Sequence, residues 1–413
     1  MSDAPATELE ALVGAGAAPQ DAVDLGDGIF MSRGVSNCYQ VVTDDGVVMV
    51  NTGSPHEVSM HRDRFARAVD APVRVIVITQ GHPDHFGGWH AFSAPAVETV
   101  VHADHARVRG YWNRLGEFYQ RRSAVLWGAL MAASGAESPP VVEVVPTRVF
   151  DDHHSFVVSG RAVELLAVPG GETTDSVAVW LPESRVVFTG NLLGPMLGHV
   201  PNLYTIRGDK VRSALAYVES VDRVRALGAD VLVTGHGDPL RGADAVDEVL
   251  TRLRDATQWL HDATVDGMND GLDVHTLMRE LRPPPELSLG EGHGTVRWNV
   301  RAVWEHYSGW FHYDATTPLY GVPGSAVAPD VVELAGADAL ATRAGEHLAD
   351  GRPLEALHLV GLVLTAHPEH RGALGVSLAA HELLLEQSGH QNLSETRWLA
   401  TRIDAAHAAL QED

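Results

Sequence analysis

The apolar run Val73-Arg74-Val75-Ile76-Val77-Ile78, followed at once by Thr79-Gln80-Gly81-His82-Pro83-Asp84-His85, constrains this chain more than any other feature. The first segment reads as a buried strand, because β-branched residues dominate it and a turn signal ends it. Behind it come two imidazoles and a carboxylate within the four residues His82 to His85. Groups so close in sequence, launched from one strand end, can converge on a single cation. The run predicts a metal site at the end of a sheet strand.

Further short runs, at 47–50, 162–168, 177–181, 186–188 and 231–233, share this composition, are bounded by Gly, Pro, Asp or Asn, and predict strands. After about Asp244 strand signals stop, and helical periodicity takes over at 246–260, 296–310, 337–347, 353–366 and 371–387. The chain reads as an α/β half followed by an all-helical half. Three later strand ends also carry polar groups: Glu172 in Gly170-Gly171-Glu172-Thr173-Thr174-Asp175, Asn191 in Thr189-Gly190-Asn191, and His236 in Thr234-Gly235-His236-Gly237. Ligands of open α/β sheets bind at such edges. Gln80, His82, Asp84, His85, Glu172, Asn191 and His236 are therefore the candidate metal ligands. Glu172 reads equally well as a helix-capping carboxylate, and Asn191 as a turn residue, since amides bind transition metals poorly. Among the other histidines, His56, His61, His90, His347 and His381 read as solvated residues.

The formal net charge of −24 argues against nucleic acid or an anionic membrane as partner, so an anionic substrate has to be met by a few local cations. Cys38 is the only cysteine, which suits a reducing compartment. The start of the chain lacks a signal-peptide pattern, and no apolar run reaches membrane-spanning length. The expectation is a cytoplasmic, soluble protein.

The Gln80 to His85 run resembles the HxHxDH signature of the metallo-β-lactamase superfamily, with Gln80 in the first histidine place. Gly171-Glu172-Thr173-Thr174-Asp175, then Pro201-Asn202-Leu203-Tyr204-Thr205-Ile206-Arg207-Gly208, then Val296 to Trp304 with Tyr307 to Phe311, resemble the bacterial alkyl sulfatases of that superfamily. The resemblance implies a metallo-β-lactamase αββα sandwich followed by an all-α helical dimerization domain. Residues 1–24 would form an N-terminal extension, 25–262 the catalytic domain and 263–413 the helical domain. It also implies one or two zinc ions, with iron or manganese as alternatives, and a homodimer. Glu172 would replace the usual middle histidine ligand, and Asn202 and Arg207 would hold a sulfate group. Gln80 and Asn191 stand where typical members carry a histidine and a metal-bridging carboxylate. That weakens the site of Gln80, His82 and Glu172 more than the site of Asp84, His85 and His236.

The function expected is metal-dependent hydrolysis of an alkyl sulfate ester by a metal-bound water, the substrate being a small anionic or ester molecule. Asp84 or Glu172 would take the water's proton, His293 and Tyr204 are the candidate acids, and Arg207 with Asn202 and Tyr204 would bind the anion. Three alternatives stand beside it: a mono- or di-iron oxygenase, since one Asp and two His also suit iron; another ester, lactone or phosphodiester hydrolase; and a non-catalytic binding protein. Val296, Val300, Val303, Trp304, Tyr307, Trp310 and Phe311 fall on one helical stripe, too apolar for a solvated surface. The stripe predicts either domain core or a two-fold interface.

Overall fold

A computed structural model describes residues 6–18, 20–133 and 140–412. Among these residues the α/β half holds two sheets. In the first, strands Val23–Gly26, Ile29–Ser32, Cys38–Thr43, Gly46–Val50, Val73–Val77, Glu98–His102 and Arg148–Phe150 lie side by side in chain order. Pairing is antiparallel up to Gly46–Val50 and parallel beyond it. The second sheet runs Leu240–Arg241, Val231–Val233, Val186–Phe188, Val177–Leu181, Arg161–Ala167, His153–Val158.

Every residue of Gly46–Val50 and of Val177–Leu181 is buried, which explains their unbroken apolar runs: both faces of each strand are covered. Between the sheets, Val48, Val50, Val75 and Val77 meet Leu165, Val179, Leu181 and Phe188 in one core. On the far side of the second sheet, Val187 and Leu232 pack with Tyr217 and Val221 of helix Ala214–Arg225 and Leu250 of helix Ala243–Asn269. Beyond the first sheet, Met49 and Ile76 pack with Phe65 of helix Val58–Ala68 and with Phe86. The alternation of side chains along each strand thus produces helix, sheet, sheet, helix, as expected.

The chain divides into two compact units, one running from Glu8 to His306 apart from residues 125–127, the other made chiefly of Tyr307–Asp413. The division expected after residue 262 falls inside the helix Ala243–Asn269, and the first unit continues to His306. The reason is local packing: Val300 and Val303 of helix Val296–Ser308 are buried with Leu203, Leu260 and Leu277. Helix Glu8–Ala17 buries Leu9 and Val13. The apolar stripe therefore divides, with Val300 and Val303 buried while Tyr307 is 53% and Trp310 69% exposed. Two histidines expected to be solvated, His61 and His381, are buried.

In the second unit, helices Ala328–Ala335, Ala337–Ala349, Pro353–Ala366, Arg371–Gln387 and Leu393–Gln411 pack on their neighbours in sequence. Small residues dominate the seam, with Ala341, Ala344, Ala356 and Ala373 buried around Val360 and Val363. No helix among the described residues is long and apolar enough to cross a membrane.

One buried polar bond joins the two sheets near their ligand-bearing ends. The Tyr39 hydroxyl donates to the Thr234 carbonyl at 2.6 Å, and Asn37 Nδ2 donates to the same hydroxyl at 3.0 Å. Tyr39→Phe leaves that carbonyl and that amide short of a partner, and should lower stability by about 1–3 kcal/mol in urea denaturation. An unchanged midpoint would mean that the bond is dispensable.

Candidate metal centre

All four strand ends converge. Thr79 accepts the Val177 N–H on its carbonyl at 2.8 Å, Gln80 Oε1 accepts the Asn191 N–H at 3.1 Å, and Gly235 accepts the Asn37 N–H at 2.7 Å. These bonds bring Gln80, His82, Asp84, His85, Glu172, Asn191 and His236 into one cluster at the shared edge of the sheets.

Asp84, His85 and His236 offer ligand atoms that all lie within 4.8 Å of one another. Asp84 Oδ2 is 3.3 Å from His85 Nε2 and 3.7 Å from His236 Nε2. His236 Nδ1 meets the Val35 carbonyl at 2.5 Å, which keeps its proton there and turns the Nε2 lone pair toward Asp84. Val35 is fixed in turn, since its N–H donates to both Glu57 oxygens at 2.9 Å. His85 Nε2 has no hydrogen-bond partner although His85 is fully buried, and His82 Nε2 is likewise buried without one. Burial pushes the His85 pKa down to about 4, so the ring is neutral at physiological pH. For Asp84, burial favours the neutral acid, but the fields of His85, His236 and His82 outweigh it and hold the carboxyl below its usual range. One carboxylate and two imidazoles suit a single divalent cation with room left for water and substrate.

The other half of the cluster is bonded to itself. Gln80 Nε2 lies 3.0 Å from His82 Nδ1. Glu172 Oε1 accepts from His293 Nε2 at 2.9 Å and from Arg212 Nη1 at 3.5 Å, while Oε2 accepts from Asn191 Nδ2 at 2.9 Å. Burial opposes ionisation of Glu172, but hydrogen bonds from His293 and His82 and the Arg212 charge prevail and hold it well below the usual carboxylate range.

Arg207 lies over the Trp112 ring, 4.9 Å from its centre, and the same indole meets His82 edge-on at 5.7 Å. Its Nε is buried without a partner. Burial lowers its pKa, with Asp209 opposing. Asn202 is buried nearby in sequence, its carbonyl held by Arg212 Nη1 at 2.6 Å. Tyr204 sits in the apolar cluster around Val300, its hydroxyl bonded to Glu305. A cavity of about 270 Å³ opens beside Glu172 and Arg212, walled by Val108, Tyr111 and Trp112, with Arg107 and Lys210 among its cations.

Several residues here were not singled out from the sequence. Asp175 is buried and accepts the Gly81 N–H at 3.2 Å and His105 Nδ1 at 2.8 Å, while Arg109 Nη1 donates to the Gly81 carbonyl at 3.0 Å. Both backbone polar groups of Gly81 are thus pinned. Asp175 lay inside the quoted Glu172 motif, but Arg109, Arg212 and Trp112 carried no local signal.

Gly235 is required by contact: a Cβ there would stand 2.3 Å from Asn191 Oδ1 and 2.6 Å from His85 Cε1. Gly235→Ala should fold yet weaken Zn²⁺ binding at least tenfold in calorimetric titration, because the loop carrying His236 must shift. Affinity equal to wild type would show that the loop has slack. A second expectation concerns acid. The folded pKa of His85 lies below the unfolded value near 6.5, so between pH 6.5 and 4 the unfolded chain binds more protons and stability falls as pH drops. The slope is at most about 1.4 kcal/mol per pH unit for this one group, and His85→Gln should flatten it in denaturation series across that window. Asp84 and Glu172 add their losses only at lower pH, since their folded values lie below normal.

Comparisons with known proteins agree with this geometry. Residues 31–236 match the family described as Metallo-beta-lactamase superfamily, and residues 274–400 match Alkyl sulfatase dimerisation. A linear primary-alkylsulfatase of Pseudomonas sp. is 30% identical over 384 residues, covering 86% of this chain and 71% of that protein. The alkyl/aryl-sulfatase BDS1 of Saccharomyces cerevisiae is 26% identical over 402 residues, and the chain spans 61% of its length. Among solved structures, the stereoselective inverting sec-alkylsulfatase Pisa1 of Pseudomonas sp. superposes with a TM-score of 0.82 at 23% identity, over 94% of this chain and 66% of that one, which supports the fold. The chain belongs to the alkylsulfatase-like branch of the metallo-β-lactamase superfamily.

Proposed function

We propose that this protein is a metal-dependent hydrolase that cleaves sulfuric esters of alkyl substrates. The observation that carries the reading is the coupling of a cation-ready cluster to a desolvated guanidinium: Trp112 touches both His82, two residues from Asp84, and Arg207. The kinship with proteins named alkylsulfatases supports it.

Asp84, His85 and His236 would hold the cation, zinc in this reading. When bound, it supplies Lewis acidity and lowers the pKa of water from about 15.7 toward 7. Arg207 presents a planar fork that matches two sulfate oxygens, and its desolvation strengthens each contact. Asn202 adds an amide donor. Glu172 and Asp84 are both held ionised, so they orient a water by accepting its hydrogen bond but are weak at removing its proton. Glu172 accepts from His293 Nε2 and so orients the ring of His293, the candidate acid for the leaving oxygen. Tyr204, engaged by Glu305, is not needed for that step. The apolar part of the substrate fits the cavity against Val108, Tyr111 and Trp112.

A homodimer belongs to the same reading. Tyr307, Trp310, Tyr313, Tyr320, Val322 and Leu334 are all more than half exposed, an apolar surface of the kind that partners cover, in a segment matching the dimerisation family. The single buried cysteine fits a cytoplasmic location.

With Zn²⁺ or Mn²⁺ added, the protein should release inorganic sulfate from alkyl sulfates and leave lactones and phosphodiesters intact. Arg207→Met should raise KM at least tenfold while cation binding persists. No sulfate from any ester on the panel would defeat the reading, and tightly held iron with oxygen consumption would favour the oxygenase instead. In sedimentation, full-length protein should run at twice the chain mass, and Trp310→Ser with Leu334→Asp should shift it to one. A wild-type monomer would remove the dimer from the account.

A further inference from the structure

Each histidine of the cluster faces a carboxamide. Gln80 Nε2 is 3.0 Å from His82 Nδ1, Asn51 Nδ2 is 3.1 Å from His85 Nδ1, and Asn191 Nδ2 is 3.2 Å from His236 Nε2. The orientation of each amide follows from its other contact, since a backbone N–H only donates and a carboxylate only accepts. The Asn191 N–H donates to Gln80 Oε1 at 3.1 Å, so the group facing His82 is an NH₂. The Thr79 N–H donates to Asn51 Oδ1 at 2.9 Å, with the same result for His85. Glu172 Oε2 takes Asn191 Nδ2 at 2.9 Å.

The two halves differ in what this leaves for a cation. In the Gln80 half, His82 Nδ1 is shared between the Gln80 NH₂ at 3.0 Å and Glu172 Oε2 at 3.5 Å. Both Glu172 oxygens are taken by His293, Arg212 and Asn191. Gln80 and Asn191 thus turn NH₂ groups rather than lone pairs into that position. In the Asp84 half, the His236 Nε2 contact is the longer of the two made by Asn191 Nδ2, and it can be given up while the amide stays bonded to Glu172. His85 carries a penalty: ligation through Nε2 moves the ring proton to Nδ1, against the Asn51 NH₂. The amide must then rotate away from the Thr79 N–H and Oγ1 that both donate to it. Metal-bound histidines ordinarily donate their second N–H to an acceptor, and His85 meets a donor.

We propose that the site holds one divalent cation per chain, on Asp84, His85 and His236, and holds it exchangeably because Gln80 and Asn191 close the second position and Asn51 opposes the liganding tautomer of His85. The proposal rests on the hydrolase reading for the role of the cation, but its test does not. Full-length protein titrated with Zn²⁺ should show one cation per chain by native mass spectrometry and elemental analysis, and should lose it to EDTA on dialysis. Gln80→His combined with Asn191→Asp should take two. Asn51→Asp should keep a stoichiometry of one and bind about tenfold more tightly, since a carboxylate accepts both the Thr79 N–H and the His85 Nδ1–H. Wild-type protein taking two cations, or none at saturating Zn²⁺, overturns the proposal, and that result does not depend on any variant folding. Asn51→Asp folded by circular dichroism but no tighter overturns the exchange claim. One cation bound without sulfate release would fell the functional reading alone, and two cations with sulfate release would fell this one alone.

Discussion

The active edge depends on one buried carboxylate. Asp175 precedes strand Val177–Leu181 of the second sheet, yet it accepts the N–H of Gly81, which belongs to the ligand loop of the first. Taking a carboxylate out of water costs several kcal/mol, and breaking such a group's bonds costs more than forming them returns. Here the cost is offset by His105, Thr173 and Gly81. Burial raises the pKa of Asp175, but these bonds exceed that effect and keep it ionised. Arg109 grips the carbonyl of the same residue and pairs with Glu143 at 2.8 Å. Since Gly81 sits between Gln80 and His82, the two sheets are registered at the point where the ligands leave them. A Cβ at Gly81 would come within 2.8 Å of Val108, so the residue type at this joint is fixed by contact.

From that registration the rest of the site follows. The strand ends supply Asp84, His85, Asn191 and His236, and the segment after Val200 supplies Asn202, Arg207 and Arg212. Arg212 links two functions, bonding Glu172 on one side and the Asn202 carbonyl on the other. Trp112 does the same between His82 and Arg207. The cluster around His82 and the Arg207 guanidinium are therefore linked through rings and guanidinium groups rather than through exposed loops.

Much of this was legible in the sequence. The strands at 177–181, 186–188 and 231–233 and the helices at 353–366 and 371–387 coincide with those observed, because unbroken β-branched runs and strong helical periodicity leave few alternatives. The ligand loop was legible because His82, Asp84 and His85 are neighbours in the chain. Strand His153–Val158 went unread, since it carries two histidines and a serine and alternates exposed with partly buried positions. Asn51, Arg109 and Trp112 went unread for another reason: their meaning arises from contacts dozens of residues away. The compact α/β unit runs past residue 262 to His306 because Leu203 and Leu260 cover Val300 and Val303, a long-range contact that the helical stripe alone does not announce.

The amides of Gln80, Asn51 and Asn191 face the three histidines of the cluster, and the number and place of its cations decide whether the one-cation reading stands. Anomalous scattering at the zinc edge from crystals grown with Zn²⁺ tests it most directly. One peak per chain, bounded by Asp84, His85 and His236, is the expected result. A second peak between His82 and Glu172, or a single peak there alone, would contradict the account.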